Sequence, residues 1–587
     1  MAQGTVALMK PCLTLDRIVR DRAGAQGDLP AYTFLRDGEI EDRTITFAEL
    51  DREGRAVAAM LQGWGITRPL LVYAPGLDFI TSFFGCLYAG ITPIPAGLPH
   101  VARVGRALTR LSAIARDAEA DAILSTTHVI DRALADPDFN MRAPELAAMR
   151  WLATESVDPA QGDNWTPPAV EASRPAFIQY TSGSTSSPKG VVVTHGNVLH
   201  NLSACRSNGG NSERSISISW LPHSHDMGLI EAILLPAFVG YRAYLMAPAA
   251  FLARPARWLE AITRYGGTNS GGPDFSYALC VDKVSADEHQ RLELSSWRVA
   301  YNGSESVRKN TLVRFRDRFE PCGFHWNAFR PVYGLAESTL LVSTSRVSEP
   351  PAFYDADADA LAAGIAEPPR MPESRSVSFV SCGRSPQESR FLVVNPESRV
   401  PCGPGQVGEI WISGPSVAAG YWRRPEETAA TFEAYIADEP DGPFLRTGDL
   451  GFCRDGQLFV TGRIKDMINI RGLKHYPQDI ERTMARSHDA IHANGCAAFA
   501  ITRDGVEQLA VIAEVKPRFR KTGGWETHVI DAIQHAVADR HGLMVHSVAL
   551  VPFGAIPKTT SGKLERYACR RSFNEGQLQA VCVWSAH

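Results

Sequence analysis

Apolar residues along the first third of the chain alternate between helical spacing and short continuous runs. In ITFAELDREGRAVAAMLQGWG, Val57, Met60 and Leu61 recur at helical spacing, and Thr46 with Glu49 is the signature of a capping box. PLLVYAP follows as a continuous apolar run and predicts a buried strand. DFITSFFGCLYAGITPIPA predicts a helix ending near Gly90 and then another strand. This alternation predicts an α/β fold with parallel sheets covered by helices on both faces. AFIQYTSGS, SISISWLP and YRAYLMAP continue it as strand-like runs that each lead into a loop or helix.

The rhythm breaks from about Glu349 to Ser376, where EPPAFYDADADALAAGIAEPPRMPES is rich in proline, alanine and acid. Read alone, it predicts a solvated surface loop or a short exposed helix. RFLVVNPESR, GEIWISG and GQLFVTGR then predict a β-rich subdomain of short antiparallel strands. From about Asp466 the pattern becomes small α+β units, with a helix from Pro477 and another around HVIDAIQHAVADRHG.

Length and composition narrow the class. A chain of 587 residues exceeds what one core holds, so two or more domains are expected. A net charge of -4 carries no polyanion signal, which argues against nucleic acid as a partner. The eleven cysteines form no CxxC pair, a pattern of reduced thiols rather than a disulfide scaffold. The N-terminus lacks a signal-peptide core, no run reaches the length of a spanning helix, and VWSAH is no lipidation box. A cytoplasmic protein with no stable membrane anchor is the expectation.

The candidate chemistry starts at YTSGSTSSPKG. Its glycines and hydroxyls can surround a polyphosphate, because glycine permits tight turns that converge backbone amides. It is not the common GxxxxGK[ST] loop, since Lys189 lies between Pro188 and Gly190 and the hydroxyls all precede it.

That loop resembles the signature of the adenylate-forming superfamily. YNGSE, VYGLAES, RTGDLG, GRIKDMINIRG and IPKTTSGKLER follow in the superfamily's order and span most of the chain. The resemblance implies a large N-terminal AMP-binding domain over 1–464 and a small mobile C-terminal domain over 465–587. It implies attack of a carboxylate on the α-phosphate of ATP, giving acyl-AMP and pyrophosphate. A carboxylate is already ionised at neutral pH, so the step needs charge neutralisation and positioning rather than a general base.

By the same resemblance, Thr181, Ser182, Gly183, Ser184, Thr185 and Lys189 hold the β- and γ-phosphates. Glu337 and Thr185 hold magnesium. Gly303, Ser304 and Glu305, with Tyr333 and Gly334, flank the adenine. Asp449 accepts from the ribose hydroxyls, and Arg463 faces the ribose or phosphate. Lys563 bridges the substrate carboxylate and the α-phosphate. Lys465 is the hinge on which the C-terminal domain pivots.

SWLPHSHDMGLI resembles the WLPxxHDMGLI run of the fatty acyl-AMP ligases, which places His225 near the reacting carboxylate. SGGPDFSYALC and GRIKDMINIRGLKHYPQDIE resemble further stretches of that branch, although Asp274 and Lys474 stand where asparagine is usual. The segment 349–376 falls where the branch carries an insertion associated with restricting the domain rotation that coenzyme A chemistry needs. The implied acid is a long-chain fatty acid, and the implied acceptor is the phosphopantetheine thiol of an acyl carrier protein or polyketide synthase. A long-chain acyl-CoA ligase is the enzymatic alternative. A catalytically silent protein that keeps the fold is the alternative of another class, opposed by the presence of Lys563, Asp449 and Glu337.

Overall fold

The computed structural model describes residues 14–98, 104–136, 138–181, 188–347, 349–371, 373–386, 388–437, 441–470, 473–503, 506–521, 524–559 and 563–586. Its largest element is an eight-stranded sheet. Strands Pro30–Arg36, Arg242–Met246, Ile216–Ser219, Asn269–Pro273, Val299–Gly303 and Phe329–Gly334 pair in parallel across the centre. Ile40–Thr46 and Leu341–Thr344 close the two edges in antiparallel fashion. A second, all-parallel sheet is built from Ile94–Gly97, Pro69–Tyr73, Ala122–Ser125 and Arg150–Ala153. Parallel sheets bury both faces, which is why their strands read as continuous apolar runs.

The helix Phe47–Trp64 begins on the predicted capping box: Glu49 N donates to Thr46 Oγ1 at 3.2 Å, and Thr46 N donates to Glu49 Oε2 at 2.9 Å. The helix Asp78–Ala89 stops at Gly90, whose φ of 69° is the left-handed cap that glycine adopts without strain. The antiparallel strands Arg390–Val394, Gly408–Ser413, Leu445–Arg454 and Gln457–Arg463 form the β-rich part. A C-terminal sheet of Ile491–Arg503, Val506–Val515, Val545–Pro552 and Cys582–Ser585 packs against helices Pro477–Ser487 and Trp525–His541 around its own core. Among the described residues, no helix is long and apolar enough to cross a membrane.

The segment 349–376 departs from a solvated loop. Strands Phe353–Asp357 and Ser376–Val380 pair across its ends, and helix Ala358–Ala362 lies between them. Ala356, Leu361, Ala366 and Phe379 share a buried cluster with Phe452, Phe459 and Tyr476. Ala356, Leu361 and Ala366 turn inward while Ile365 and Met371 stay exposed, so a few apolar residues suffice for packing. The segment also touches the C-terminal unit, where Arg375 Nη1 donates to the Arg540 carbonyl at 2.8 Å.

Candidate active site

The parallel strands Asn269–Pro273, Val299–Gly303 and Phe329–Gly334 end along one crevice, where open α/β sheets take their ligands. Their last residues form a platform that side chains cannot occupy. A Cβ on Gly303 would lie 2.5 Å from Val332 Cγ2, and one on Gly334 would lie 1.9 Å from the Leu340 carbonyl oxygen. Ser304 follows at φ 69°, and Glu305 Oε1 accepts from Phe275 N at 2.7 Å. Asp274 fixes this segment from beneath, accepting from Arg308 N at 3.1 Å, Asn302 Nδ2 at 3.2 Å and Thr311 Oγ1 at 2.8 Å.

On one side stands the buried carboxylate of Asp449. Tyr333 donates its hydroxyl to Oδ2 at 2.8 Å, and Arg463 Nε donates to Oδ1 at 2.7 Å. Asp449 and Arg463 are register partners across two antiparallel strands, so the backbone itself brings the pair together. Asp449 also raises the pKa of the Arg463 guanidinium.

Glu337 sits on the short turn Ala336–Ser338, and its Oε1 accepts from the Tyr421 hydroxyl at 3.0 Å. Burial pushes its carboxyl pKa up. Among the described residues, no group of three or more His, Cys, Asp or Glu side chains gathers as a metal cage. A lone carboxylate beside a phosphate site suits magnesium, which is bound through one or two carboxylates plus substrate oxygens.

Strands Pro175–Thr181 and Lys189–Thr194 pair so that Thr181 and Lys189 face each other. Lys189 Nζ forms an ion pair with Glu427 and stands 5.1 Å from the centroid of the Tyr421 ring.

At the other end of the crevice, His225 Nδ1 lies 2.7 Å from Asp226 Oδ1, which also accepts from Met227 N at 2.7 Å. Burial alone would raise the Asp226 pKa, but His225 and then Lys563 outweigh it and hold the carboxylate at about 2. Lys563 comes from the C-terminal unit and is tied to Thr559: its N donates to Thr559 Oγ1 at 3.0 Å, and its carbonyl accepts from Thr559 N at 2.8 Å. Burial pulls the pKa of its ammonium down, and Asp226 is the strongest charge opposing that fall. Arg463, Glu305 and Asp449 also act on it, so the C-terminal lysine shares one field with both ends of the crevice.

Comparison with known proteins decides what this arrangement is. The AMP-binding enzyme family matches residues 19–422, and the AMP domain of Disco-interacting protein 2-like proteins matches 465–582. A medium-chain-fatty-acid–acyl-carrier-protein ligase, JamA of Moorena producens, is 43% identical over 96% of this chain and 96% of its own. A long-chain-fatty-acid–AMP ligase, FadD32 of Mycolicibacterium smegmatis, is 36% identical over 95% of this chain and 94% of its own. The solved structure of a fatty acyl-adenylate ligase from L. pneumophila, in complex with acyl adenylate and pyrophosphate, superposes with a TM-score of 0.75. It is 38% identical, with 98% of each chain covered. The chain belongs to the AMP-binding enzymes, in their fatty acyl-AMP ligase branch.

In this AMP-binding enzyme, charge interactions tie Lys563 to Asp226, Glu305, Arg463 and Asp449, and hydrogen bonds tie Asp449 to Tyr333 and Arg463. Tyr421 bridges Glu337 and Lys189, Lys189 is the register partner of Thr181, and His225 pairs with Asp226. Gly303, Ser304 and Gly334 stand at the strand ends. Ser182, Gly183, Ser184 and Thr185 lie outside the described residues. Lys465 stays out of the crevice, exposed on the turn Ile464–Asp466. Lys474 is exposed on strand Leu473–His475, away from the crevice.

Sequence reasoning missed several groups. Asp226 is engaged by His225 and interacts with the charge of Lys563. Tyr421, tied to Glu337, carries no motif that would announce it. Arg566 ends the GKLER block and forks onto Glu481 at 2.7 Å with both Nε and Nη2, while Nη1 donates to Asp466 at 3.0 Å. It thereby fastens the turn that holds Lys465.

Proposed function

We propose that this enzyme uses ATP to convert a fatty acid into acyl-AMP and pyrophosphate, then passes the acyl group to the phosphopantetheine thiol of an acyl carrier protein or polyketide synthase. The observation that supports the reading is that Lys563, brought from the C-terminal unit, interacts electrostatically with Asp226, Arg463 and Asp449 of three separate family motifs. A carboxylate oxygen attacks the α-phosphorus, the α–β bridging bond breaks, and pyrophosphate leaves. Two anions approach in that step, and Lys563 lies where the excess charge develops. Its partly desolvated ammonium interacts more strongly there than it would in water. Glu337 would hold Mg2+, which supplies further neutralisation of the polyphosphate.

Asp449 and Arg463 orient the ribose and α-phosphate, and the glycine platform at Gly303 and Gly334 takes the adenine. Thr181 and Lys189 take the β- and γ-phosphates, together with Ser182, Gly183, Ser184 and Thr185. His225, held by Asp226, meets the fatty carboxylate. The relatives are named for medium-chain and long-chain acids, so the acid is a fatty acid of that range rather than a long-chain acid alone.

The boundary between the AMP-binding and mobile domains falls at 464/465, on the turn that Arg566 fastens. The packing of 349–376 against Tyr476 and the Arg540 carbonyl supports a restraint on the mobile domain, which favours a tethered carrier thiol over coenzyme A. Exchange of labelled pyrophosphate into ATP across a panel of acids tests the reading. Exchange that depends on a fatty acid is expected. Its absence with every acid would contradict adenylation.

A further inference from the structure

Both rims of the phosphate hairpin are held from outside by one chain of charged contacts. Tyr180, one residue before Thr181, donates its hydroxyl to Asp117 Oδ2 at 2.6 Å. Asp117 Oδ1 accepts from Arg424 Nη2 at 2.7 Å, and Arg424 Nη1 donates to Glu427 Oε1 at 3.1 Å. Glu427 Oε2 completes the chain on Lys189. Arg424 and Glu427 belong to the start of helix Pro425–Phe432, which also holds Tyr421 through Tyr421 N donating to Thr428 Oγ1 at 2.9 Å. Tyr421 in turn carries the ring beneath Lys189 and the hydroxyl on Glu337. One short helix therefore contacts the Lys189 rim through Glu427, reaches the Tyr180 rim through Arg424 and Asp117, and through Tyr421 reaches the carboxylate proposed for the metal.

The ion pair is built to be broken. The side chains of Lys189 and Glu427 keep 25% and 38% of their surface exposed, so an incoming anion can reach the ammonium without unfolding anything. While paired, Lys189 offers a neutralised charge to the phosphate site. A bound polyphosphate competes with Glu427 for it, and the pair reforms when that anion leaves. We propose that Glu427 is a positioning residue that trades Lys189 with the departing pyrophosphate and so sets how tightly pyrophosphate is held. The identity of the anion rests on the adenylation reading above.

An exposed or half-exposed ion pair of this kind is worth up to about a fivefold change in an equilibrium constant. Titration calorimetry with pyrophosphate and magnesium, in the absence of any acid, should show E427Q binding about fivefold more tightly than wild type. E427D should return to the wild-type affinity. A merely structural Glu427 would loosen the hairpin on substitution and weaken binding. Equal or weaker binding by E427Q would overturn the proposal, as would wild-type protein that binds no pyrophosphate. The titration involves no turnover. A failed acid-dependent exchange assay would count against adenylation, and an unchanged E427Q affinity against the ion-pair trade.

Discussion

Replacement of Asp274 by asparagine tests the electrostatics beneath the adenine platform. The Asp274 carboxyl is 1% exposed, and burial lifts its pKa from 3.8 to about 6, against the pull of Arg308. Because the folded state binds the proton more tightly, ionisation costs stability. The cost is absent below pH 3.8, grows through the window from 3.8 to 6, and is complete above it. A shift of this size corresponds to about 3 kcal/mol at pH 8, about 1.5 kcal/mol at pH 5 and about 0.5 kcal/mol at pH 4. Asparagine keeps an oxygen for Asn302 and Arg308 N, offers an amide to the Thr311 hydroxyl, and carries no charge. D274N should therefore stabilise the protein by up to about 3 kcal/mol at pH 8, with the gain shrinking as pH falls. Urea unfolding followed by tryptophan fluorescence reads the right region, since Trp220, Trp258 and Trp297 share a core cluster with Tyr277 of the same helix. A D274N protein that is less stable at pH 8, or one equally stabilised at pH 5 and pH 8, would refute the reasoning.

Four further outcomes are expected. K563A should lower acyl-AMP formation by at least about a hundredfold with an unchanged unfolding midpoint, because the lost interaction belongs to the transition state; stopped-flow pyrophosphate release measures it. D226N should slow adenylation about tenfold by removing the anion opposite Lys563, while acyl transfer from supplied acyl-AMP proceeds at the wild-type rate. Asp226, held at about 2, stays ionised across working pH, so the wild-type pH–rate profile should show no acid limb from it above pH 4. R375A removes the bond to the Arg540 carbonyl and should raise the yield of acyl-CoA relative to wild type, read by mass spectrometry; no gain would leave 349–376 as a packing element alone.

The two sheet systems were legible in the sequence because buried parallel strands announce themselves as apolar runs, and the capping box at Thr46 announces its helix. The two strands flanking the phosphate loop were legible as apolar runs, but their antiparallel pairing, which sets Thr181 opposite Lys189, was not. The inward packing of 349–376 was not legible. Its three buried apolar anchors, Ala356, Leu361 and Ala366, match partners such as Phe452 and Phe459 that lie far along the chain, and local composition carries no trace of them. The contact of Asp117 with Arg424 spans 307 positions, which no spacing rule reaches. Asp226 was hidden differently: the run SWLPHSHDMGLI pointed to His225, and the charge interaction of Asp226 with Lys563 comes from the other end of the chain.

The central claim is that acyl-AMP made in this crevice is passed to a tethered phosphopantetheine thiol. Preformed acyl-AMP presented to the full-length enzyme with equal concentrations of coenzyme A and a holo acyl carrier protein tests it most directly. Intact-protein and small-molecule mass spectrometry should find the acyl group on the carrier, with little acyl-CoA. Predominant acyl-CoA would contradict the account and make the protein an acyl-CoA ligase.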